Sequence, residues 1–276
     1  MSTMYRRLLC ALLALLLACG AAAAEDAALR GWNKTDKYQY VLFGAYPQTA
    51  EGGVEPVLWR VLRADGEQAL LLAEYVLDAE PIIRCDDKKM QEKHTYRRIT
   101  AFEESDLYPW LSDVMAPTLF TGAQLAALDD TRGKVFILND KEFTNVDYGF
   151  TRTIYGEGDV PALRCRKTTP TPYAKQKGDI YTQSGGCTYW VDNVKGKLDY
   201  KMGIVGFNGH MSYGAYHRTN IGIRPAILVN MALVELAEGD GTMENPYQVL
   251  SLCLDVTDEG AAEDEMLLMT QWYDAD

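Results

Sequence analysis

The sequence lacks the signatures of the common enzyme classes. It contains no phosphate-binding P-loop, no Gly-x-Gly-x-x-Gly dinucleotide loop, no Gly-x-Ser-x-Gly nucleophile elbow and no His-Glu-x-x-His zinc motif. Histidine is scarce, with 3 among 276 residues, and no Cys-x-x-Cys pair points to a zinc or redox centre. We therefore predict no catalytic residues and no bound cofactor, and we expect a protein that is not an enzyme.

Positive charge is also in short supply. The chain has 27 Lys and Arg against 39 Asp and Glu, which gives a formal net charge of −12. Because nucleic-acid-binding surfaces are basic, this balance argues against a nucleic-acid partner. Part of the excess lies in residues 255–276, which contain no Lys or Arg. We predict that this acidic tail is disordered or marginally helical, and partner docking is one role open to it.

Only one segment is a long hydrophobic run. It covers residues 8–24 and follows Arg6 and Arg7, a pattern typical of a signal peptide spanning residues 1–24. The stretch that ends at Cys19 (LLAC) also resembles a bacterial lipobox, in which Cys19 would become a lipidated first residue. An uncleaved anchor is the third alternative, although the run is short for a span of about 20 residues. We expect an extracellular or envelope protein that contacts a membrane only through such a lipid anchor.

The cysteines outside the leader are few and even in number: Cys85, Cys165, Cys187 and Cys253. In a compartment that permits disulfides, this favours one or two structural bridges. Four cysteines allow about three pairings, and the sequence does not choose between them.

Runs of Val, Leu, Tyr and Trp between Gly, Pro and Asp residues predict strands, and apolar residues at helical spacing predict short helices. Together they predict an α+β fold with antiparallel strands, short helices and long loops. The expected strands cover 38–47, 57–63, 69–77, 134–138, 188–191, 202–207, 221–229 and 247–252. The Asp65-Gly66 turn makes the second and third of these a hairpin. Two helices are expected over 105–115 and 121–128, and loops over 78–100 and 148–186. With no linker in between, we predict one domain over residues 36–254.

Aromatic and amide side chains are interleaved between residues 181 and 220, which is typical of a surface that binds a sugar or a peptide. Trp190 and Phe207 have apolar neighbours, so the core is the stronger interpretation for both. Turn-like sequence around the other aromatic and polar residues predicts exposure. The candidate ligand-binding residues are Trp190, Asp192, Asn193, Asn208, His210, Tyr213 and Tyr216. A two-histidine metal site at His210 and His217, and a Cys187–His210 nucleophile, are the weaker alternatives.

Several segments together resemble the bacterial domain family DUF6273 of exported and envelope proteins. They are YVLFGAYPQ (40–48), VLWRVLRADGEQALLLAEYVLD (57–78), SDLYPWL (105–111), LFTGAQLAAL (119–128), VFILNDKEF (135–143), TPYA (171–174) and IGIRPAILVN (221–230). They occur in the family's order and cover residues 38–230. The resemblance implies a fold related to C-type lectins and to the formylglycine-generating enzyme group.

The resemblance also implies roles for particular residues. Arg224, in the Gly-hydrophobic-Arg strand, is expected to be structural, as are Trp59 and Trp110. The WVDN segment (190–193) is similar to the Trp-Asn-Asp calcium motif of lectins, but the companion Glu-Pro-Asn or Gln-Pro-Asp motif is absent, which leaves calcium as a minor alternative. The paired reactive cysteines of the formylglycine group are not reproduced.

From residues and resemblance together we predict a non-enzymatic module that binds an extracellular glycan or protein through its loops between residues 148 and 220. Two alternatives stay open. One is an envelope enzyme, either a hydrolase or a Cys-dependent modifying enzyme, and the other is a structural envelope component.

Overall fold

A computed structural model describes residues 29–93, 96–158, 160–195 and 200–252 of the chain. The predicted leader with its candidate lipidation residue Cys19, the cysteine Cys253 and the acidic tail lie outside the described residues. Within those ranges, no helix combines the length and the apolar character that crossing a bilayer requires.

Six strands form the first sheet. In chain order they are β1 (Tyr40–Pro47), β2 (Val54–Ala64), β3 (Gln68–Ala73), β11 (Ala226–Asn230), β12 (Val234–Ala237) and β13 (Tyr247–Ser251). Their order across the sheet is β11-β3-β2-β1-β13-β12, and only the β1–β13 pair is parallel. The predicted β1–β2–β3 meander and its hairpin are confirmed.

Five strands form the second sheet, and two more form a small hairpin. The second sheet contains β4 (Asp78–Ala79), β7 (Tyr189–Val194), β8 (Lys201–Val205), β9 (Met211–Ala215) and β10 (Gly222–Ile223) in the order β4-β10-β7-β8-β9. The separate hairpin pairs β5 (Thr182–Gln183) with β6 (Gly186–Cys187). Most neighbouring strands are antiparallel and the helices are short, so the predicted α+β class is confirmed.

The helices are brief. They are α1 (Lys88–Lys93), α2 (Leu107–Trp110), α3 (Ala116–Leu119), α4 (Gly122–Ala126) and α5 (Pro172–Gly178), with a π-helical turn over Leu111–Met115 that joins α2 to α3. Short 3₁₀ helices cover Phe102–Glu104, Glu142–Thr144, Val146–Tyr148, Pro161–Arg166 and Met231–Leu233. Both predicted helices are confirmed, and Thr121 begins the second one with a capping box.

The first sheet is covered on both faces near β3, and the sequence explains how. Alternate side chains of a strand point to opposite faces. Ala69, Leu71 and Ala73 therefore join the apolar cluster around Trp59 and Trp190, whereas Leu70 and Leu72 join a second cluster around Phe143 and Tyr189. This double burial accounts for the continuous apolar run of β3, which in a one-sided strand would alternate with polar residues.

Three local predictions are wrong in informative ways. Residues 134–138 form no strand, because Phe136 exchanges a single pair of main-chain hydrogen bonds with Ala226 and the pairing stops there. The expected strand 221–229 is split, since Pro225 lacks an N–H donor and the chain leaves the second sheet as β10 to enter the first as β11. The turn-like segment after residue 209 contains β9.

The expected surface loop over residues 78–100 is only partly exposed. It contains β4 and α1, and it buries Ile82, Ile83, Tyr96 and Ile99 in the first apolar cluster. The polar and basic composition of this segment led to the prediction of a surface loop, although four of its apolar side chains belong to the core.

The predicted structural residues occupy buried positions. Trp59 is fully buried and its Nε1 donates to the Phe43 carbonyl at 2.7 Å, while Trp110 is 7% exposed. Arg224, which is 1% exposed, donates from Nε to the Ala73 carbonyl at 2.7 Å and lies against the Tyr189 ring. These contacts join the end of β3 to β7, so Arg224 ties the first sheet to the second.

Candidate functional site

The predicted ligand-binding residues separate into different places. Two of them lie in the core. Trp190 is fully buried, as the sequence predicted, and its Nε1 donates to the Glu80 carbonyl at 2.9 Å. Tyr216 is also fully buried, so the expectation that it is exposed is wrong. Its amide donates to the Tyr200 carbonyl and its ring packs against Tyr96, because the chain turns inward after β9 ends.

Asn193 and Tyr213 lie together on a face of the second sheet. Gly203 of β8 stands between them and has no side chain, which lets the Asn193 amide come within 3.5 Å of the Tyr213 hydroxyl. Tyr213 is 39% exposed, as predicted, but it belongs to the edge strand β9 and not to a turn. The Nζ of Lys195 lies 5.2 Å from the centre of its ring.

Asp192 lies on β7 with its side chain half-buried. Burial, reinforced by the negative charge of Glu103, raises the pKa of Asp192 to about 6. Its amide donates to the Leu138 carbonyl, which joins β7 to the extended segment 134–138. Among the described residues, no two further His, Cys, Asp or Glu side chains stand beside this carboxyl to complete a calcium site.

Asn208 and His210 share the tight turn between β8 and β9. The turn closes through hydrogen bonds from Gly206 to the His210 carbonyl and from Gly209 to the Gly206 carbonyl, both at 2.8 Å. Gly209 has a φ of +82°, and a Cβ there would lie 2.2 Å from the Leu163 carbonyl oxygen, so the position requires glycine. The turn is thus pressed against the segment that carries the 3₁₀ helix Pro161–Arg166.

A cavity of about 620 Å³ opens beside this turn. Its lining comes from distant segments of the chain: Gly158, Arg164, Lys167, Ser184, Phe207 and Asn208. A second cavity of about 310 Å³ is lined by the β5–β6 hairpin, shares Ser184 with the first cavity and includes Lys175. We call these two cavities the basic cleft, because the residues described as lining them include three cations and no carboxylate.

Local helix geometry places two of these cations side by side. Arg164 lies in the 3₁₀ helix Pro161–Arg166, and Lys167, three positions after Arg164, is the first residue beyond the end of this helix. Side chains at i and i+3 eclipse in a 3₁₀ helix, so both reach the same cavity. The Nζ of Lys167 also donates to the Ser184 carbonyl at 2.6 Å, which links this helix to the β5–β6 hairpin.

Arg166 points the opposite way and fixes the helix to the body of the protein. Its side chain is fully buried, and it donates only to main-chain carbonyls, those of Phe143, Thr151, Thr153 and Gly209. Burial lowers the pKa of Arg166. In the described part of the chain this guanidinium forms no ion pair with a carboxylate, and it binds several loops at once, which fixes the 3₁₀ helix that carries Arg164.

Aromatic side chains stand around the basic cleft. Tyr155 is 66% exposed and Tyr181 is 58% exposed. The Tyr181 ring meets Phe207 edge-on at 5.9 Å, and the His210 ring meets Tyr155 at 4.9 Å. Phe207 is half-buried rather than part of the core, which departs from the expectation for this residue. The Nε2 of His210 is buried and has no hydrogen-bond partner among the described residues.

The cysteines do not form the expected bridge within the described part of the chain. Cys85, Cys165 and Cys187 are all free thiols there, and Cys253 lies outside it. Cys187 is fully buried in the second apolar cluster, and burial raises the pKa of its thiol to about 12. A thiol that stays protonated is a poor nucleophile, so the Cys187–His210 alternative is not supported.

The metal alternatives also lack support in the described residues. No three His, Cys, Asp or Glu side chains come close enough there to hold an ion. His217, one half of the two-histidine hypothesis, has its Nδ1 3.1 Å from the Tyr96 hydroxyl, whereas His210 packs on Tyr155.

The basic cleft therefore contains one candidate ligand-binding residue, Asn208, and its aromatic neighbour Phe207. It also contains cations that the sequence analysis did not identify. The sequence did contain a signal for them. Arg164 and Lys167 are three positions apart after Pro161, a spacing that would place both side chains on the same face of a 3₁₀ helix. Comparison with protein-family models, with curated proteins and with solved structures finds no match, so the resemblance to DUF6273 stays a prediction.

Proposed function

We propose that the protein is an exported binding module, released or held at the bacterial cell surface, whose ligand is a glycan or protein segment that carries negative charge. The basic cleft is the binding site in this proposal. The finer fold assignment, a C-type-lectin-like domain resembling DUF6273, belongs to the same proposal and rests on the quoted sequence segments.

One observation carries the proposal. In a chain with a net charge of −12, three cations and no carboxylate line two adjoining cavities among the described residues. Arg164 can donate two parallel hydrogen bonds to a carboxylate or sulfate, and Lys167 adds a compact positive charge beside it. A cluster of cations of this kind, in an otherwise acidic protein, favours an anionic ligand over a neutral one.

The surrounding side chains suit an extended polar ligand. Tyr155 and Tyr181 offer exposed aromatic faces on which a sugar ring or a peptide side chain can pack. Ser184 and Asn208 add hydroxyl and amide groups that both donate and accept hydrogen bonds. The burial of Cys187 weighs against the alternative of a cysteine-dependent enzyme.

The test compares anionic with neutral probes. We would titrate the full chain with uronate-bearing oligosaccharides, sulfated oligosaccharides and a poly-glutamate peptide, with neutral gluco-oligosaccharides as the matched probes. Binding of an anionic probe is expected to weaken about tenfold or more in Arg164→Ala and in Lys167→Ala, since a charged hydrogen bond contributes about 1.5–3 kcal/mol.

The matched protein control is Lys201→Ala, which removes an exposed cation of β8 that does not line the cleft. It should leave binding unchanged. If the neutral probes bind as tightly as the anionic ones, or if all three variants behave alike, the proposed site is wrong.

A further inference from the structure

A second polar cluster lies apart from the basic cleft, where α5 packs against β4. The Nζ of Lys177 is 2.7 Å from Oδ1 of Asp78 and 3.1 Å from Oε1 of Glu80. A Cβ at Gly178 would lie 2.3 Å from the Cβ of Ala79, so glycine allows the helix to press directly onto the strand. This close packing brings the amine within reach of the carboxyl carbon of Asp78.

The surroundings of Asp78 are those of a reaction centre more than of a surface ion pair. Its side chain is 1% exposed, whereas Lys177 reaches in from the surface and is 33% exposed. The rings of Trp110 and Tyr46 are 7% and 3% exposed, and the Nζ of Lys177 lies 5.3 Å from the Trp110 ring. Because water is largely excluded around Asp78, the cost of keeping both groups charged is higher here than at the surface.

From this geometry we propose that Lys177 and Asp78 become joined by an intramolecular isopeptide bond, with Glu80 as the group that moves the protons. The bond forms between Nζ of Lys177 and Cγ of Asp78, and one Cγ–O bond of Asp78 breaks. Two of the three ammonium protons leave with that oxygen as water, and the third stays on the amide nitrogen. One positive and one negative charge disappear together, and neither an oxidant nor any co-reactant is required.

Two hydrogen-bond donors are placed to assist the addition. The Tyr46 hydroxyl donates to Oδ2 of Asp78 at 2.5 Å, and the Ala79 amide donates to Oδ1 at 2.6 Å. Both would withdraw electron density from Cγ and stabilise the oxygen that becomes negative during attack, as donors in an oxyanion hole do. The aspartate of an ordinary salt bridge does not need this pair of fixed donors on both of its oxygens.

Glu80 completes the arrangement because the amine must lose protons before it can attack. Burial by itself lowers the pKa of Lys177, but its hydrogen bonds to Asp78 and Glu80 and their charges more than offset this and raise the pKa. The resting state is therefore the ion pair. Reaction requires a proton to pass from Nζ to Glu80 and on to the departing oxygen, which makes the step slow but irreversible in practice once water has left.

Proximity supplies the rate that such a step needs. Groups held in contact within one molecule react as if at effective concentrations of up to about 10⁵–10⁸ M. A single event in the lifetime of the chain is enough. The product would connect two segments that are far apart in the sequence, and such a cross-link restricts the unfolded chain much as a disulfide does.

The decisive experiment is mass spectrometry of the full chain after reduction and alkylation. We expect a mass lower by one water molecule than that of the same sequence with its cysteines alkylated. Trypsin should yield residues 64–84 joined to residues 176–195, because an acylated Lys177 is no longer cleaved. In a denaturing gel under reducing conditions, the cross-linked chain should migrate faster than its uncross-linked variant.

Three variants separate this reaction from other losses of water. Lys177→Arg keeps the positive charge beside Asp78 but cannot form the amide, so its mass should match its sequence. Glu80→Gln removes the proton carrier and should abolish or greatly slow the loss. Lys201→Arg, which changes an exposed lysine of β8 outside both sites, is the matched control and should lose one water as the unchanged chain does.

A cyclised aspartate at Asp65-Gly66 or Asp240-Gly241 also removes one water, but it would persist in Lys177→Arg and would leave the two peptides separate. A full chain that retains its sequence mass after prolonged incubation, or one whose water loss survives in Lys177→Arg, overturns the proposal. Either result leaves the proposed ligand site untouched, since the basic cleft contains none of these residues.

Discussion

Replacing Glu74 with glutamine should destabilise the protein severely, because this carboxylate neutralises two buried guanidinium groups. It accepts two hydrogen bonds from Arg60, at 2.6 and 2.5 Å, and lies 3.9 Å from the nearest nitrogen of Arg224. The side chains of Arg60, Glu74 and Arg224 are 8%, 12% and 0% exposed. Among the described residues, Glu74 is the only carboxylate that forms an ion pair with either arginine.

The expected size of the effect follows from this burial. Removing one partner of a buried ion pair leaves an uncompensated charge and costs about 3–5 kcal/mol. Burial by itself lowers the pKa of Arg60, and the charge and hydrogen bonds of Glu74 raise it. Without Glu74 the arginine still cannot escape the penalty by losing its proton, because a guanidinium group stays charged in proteins. We therefore predict a loss of about 3–5 kcal/mol in the free energy of unfolding of Glu74→Gln.

Urea denaturation followed by tryptophan fluorescence measures this loss. The matched control is Asp106→Asn, which breaks the exposed ion pair with Arg97 and should cost less than about 1 kcal/mol. If Glu74→Gln costs no more than Asp106→Asn, then water or another group compensates the two arginines and the reasoning from burial is refuted.

Three further predictions concern the cleft, the second sheet and the thiols. Gly209→Ala should lower the free energy of unfolding by at least about 1 kcal/mol and weaken binding of an anionic probe. The reason is that the left-handed backbone of Gly209 and the nearby Leu163 carbonyl exclude a Cβ. Unchanged urea denaturation and unchanged binding would contradict this. The pKa of Asp192 is raised to about 6, so the folded state holds a proton there more tightly than the unfolded state, and stability from this group falls as the pH rises from about 4 to about 6. Asp192→Asn should therefore gain about 1–2 kcal/mol over the unchanged chain between pH 4 and pH 7 in urea titrations, after allowance for solvent screening, and a constant difference would refute it. Iodoacetamide at pH 8 should label the partly buried Cys85 and Cys165 in the folded protein and should label Cys187 only in urea. Early labelling of Cys187, detected by mass spectrometry, would contradict its burial.

Elements with strong local signals were predictable from the sequence. The β1–β2–β3 meander followed from runs of Val, Leu, Tyr and Trp and from the Asp65-Gly66 turn, both of which act between neighbouring residues. The helix over 121–128 was predicted from the run TGAQLAAL, and the capping box that begins it joins Thr121 to Gln124, only three positions further along the chain. Such signals need no knowledge of the remaining chain.

Other features depended on contacts between distant segments. Residues 134–138 have the composition of a strand but meet β11 through only one exchanged pair of hydrogen bonds, so no ladder forms. Tyr216 occupies turn-like sequence yet lies in the core, because Tyr96 and Tyr200 supply its surroundings from elsewhere in the chain. The local sequence pattern does not show which distant residues will pack against a segment.

The candidate site shows the same division. The sequence alone directed attention to residues 148–220, predicted an export-type leader, and showed the acidic balance and the absence of the common catalytic motifs. Only the tertiary structure brought Arg164 and Lys167 against Phe207 and Asn208, and only it placed Lys177 beside Asp78. The physical reason is one of distance. Ion pairs and hydrogen bonds act over a few ångströms, whereas these residues are separated by tens of positions along the chain. The packing of the two sheets decides which distant segments come together.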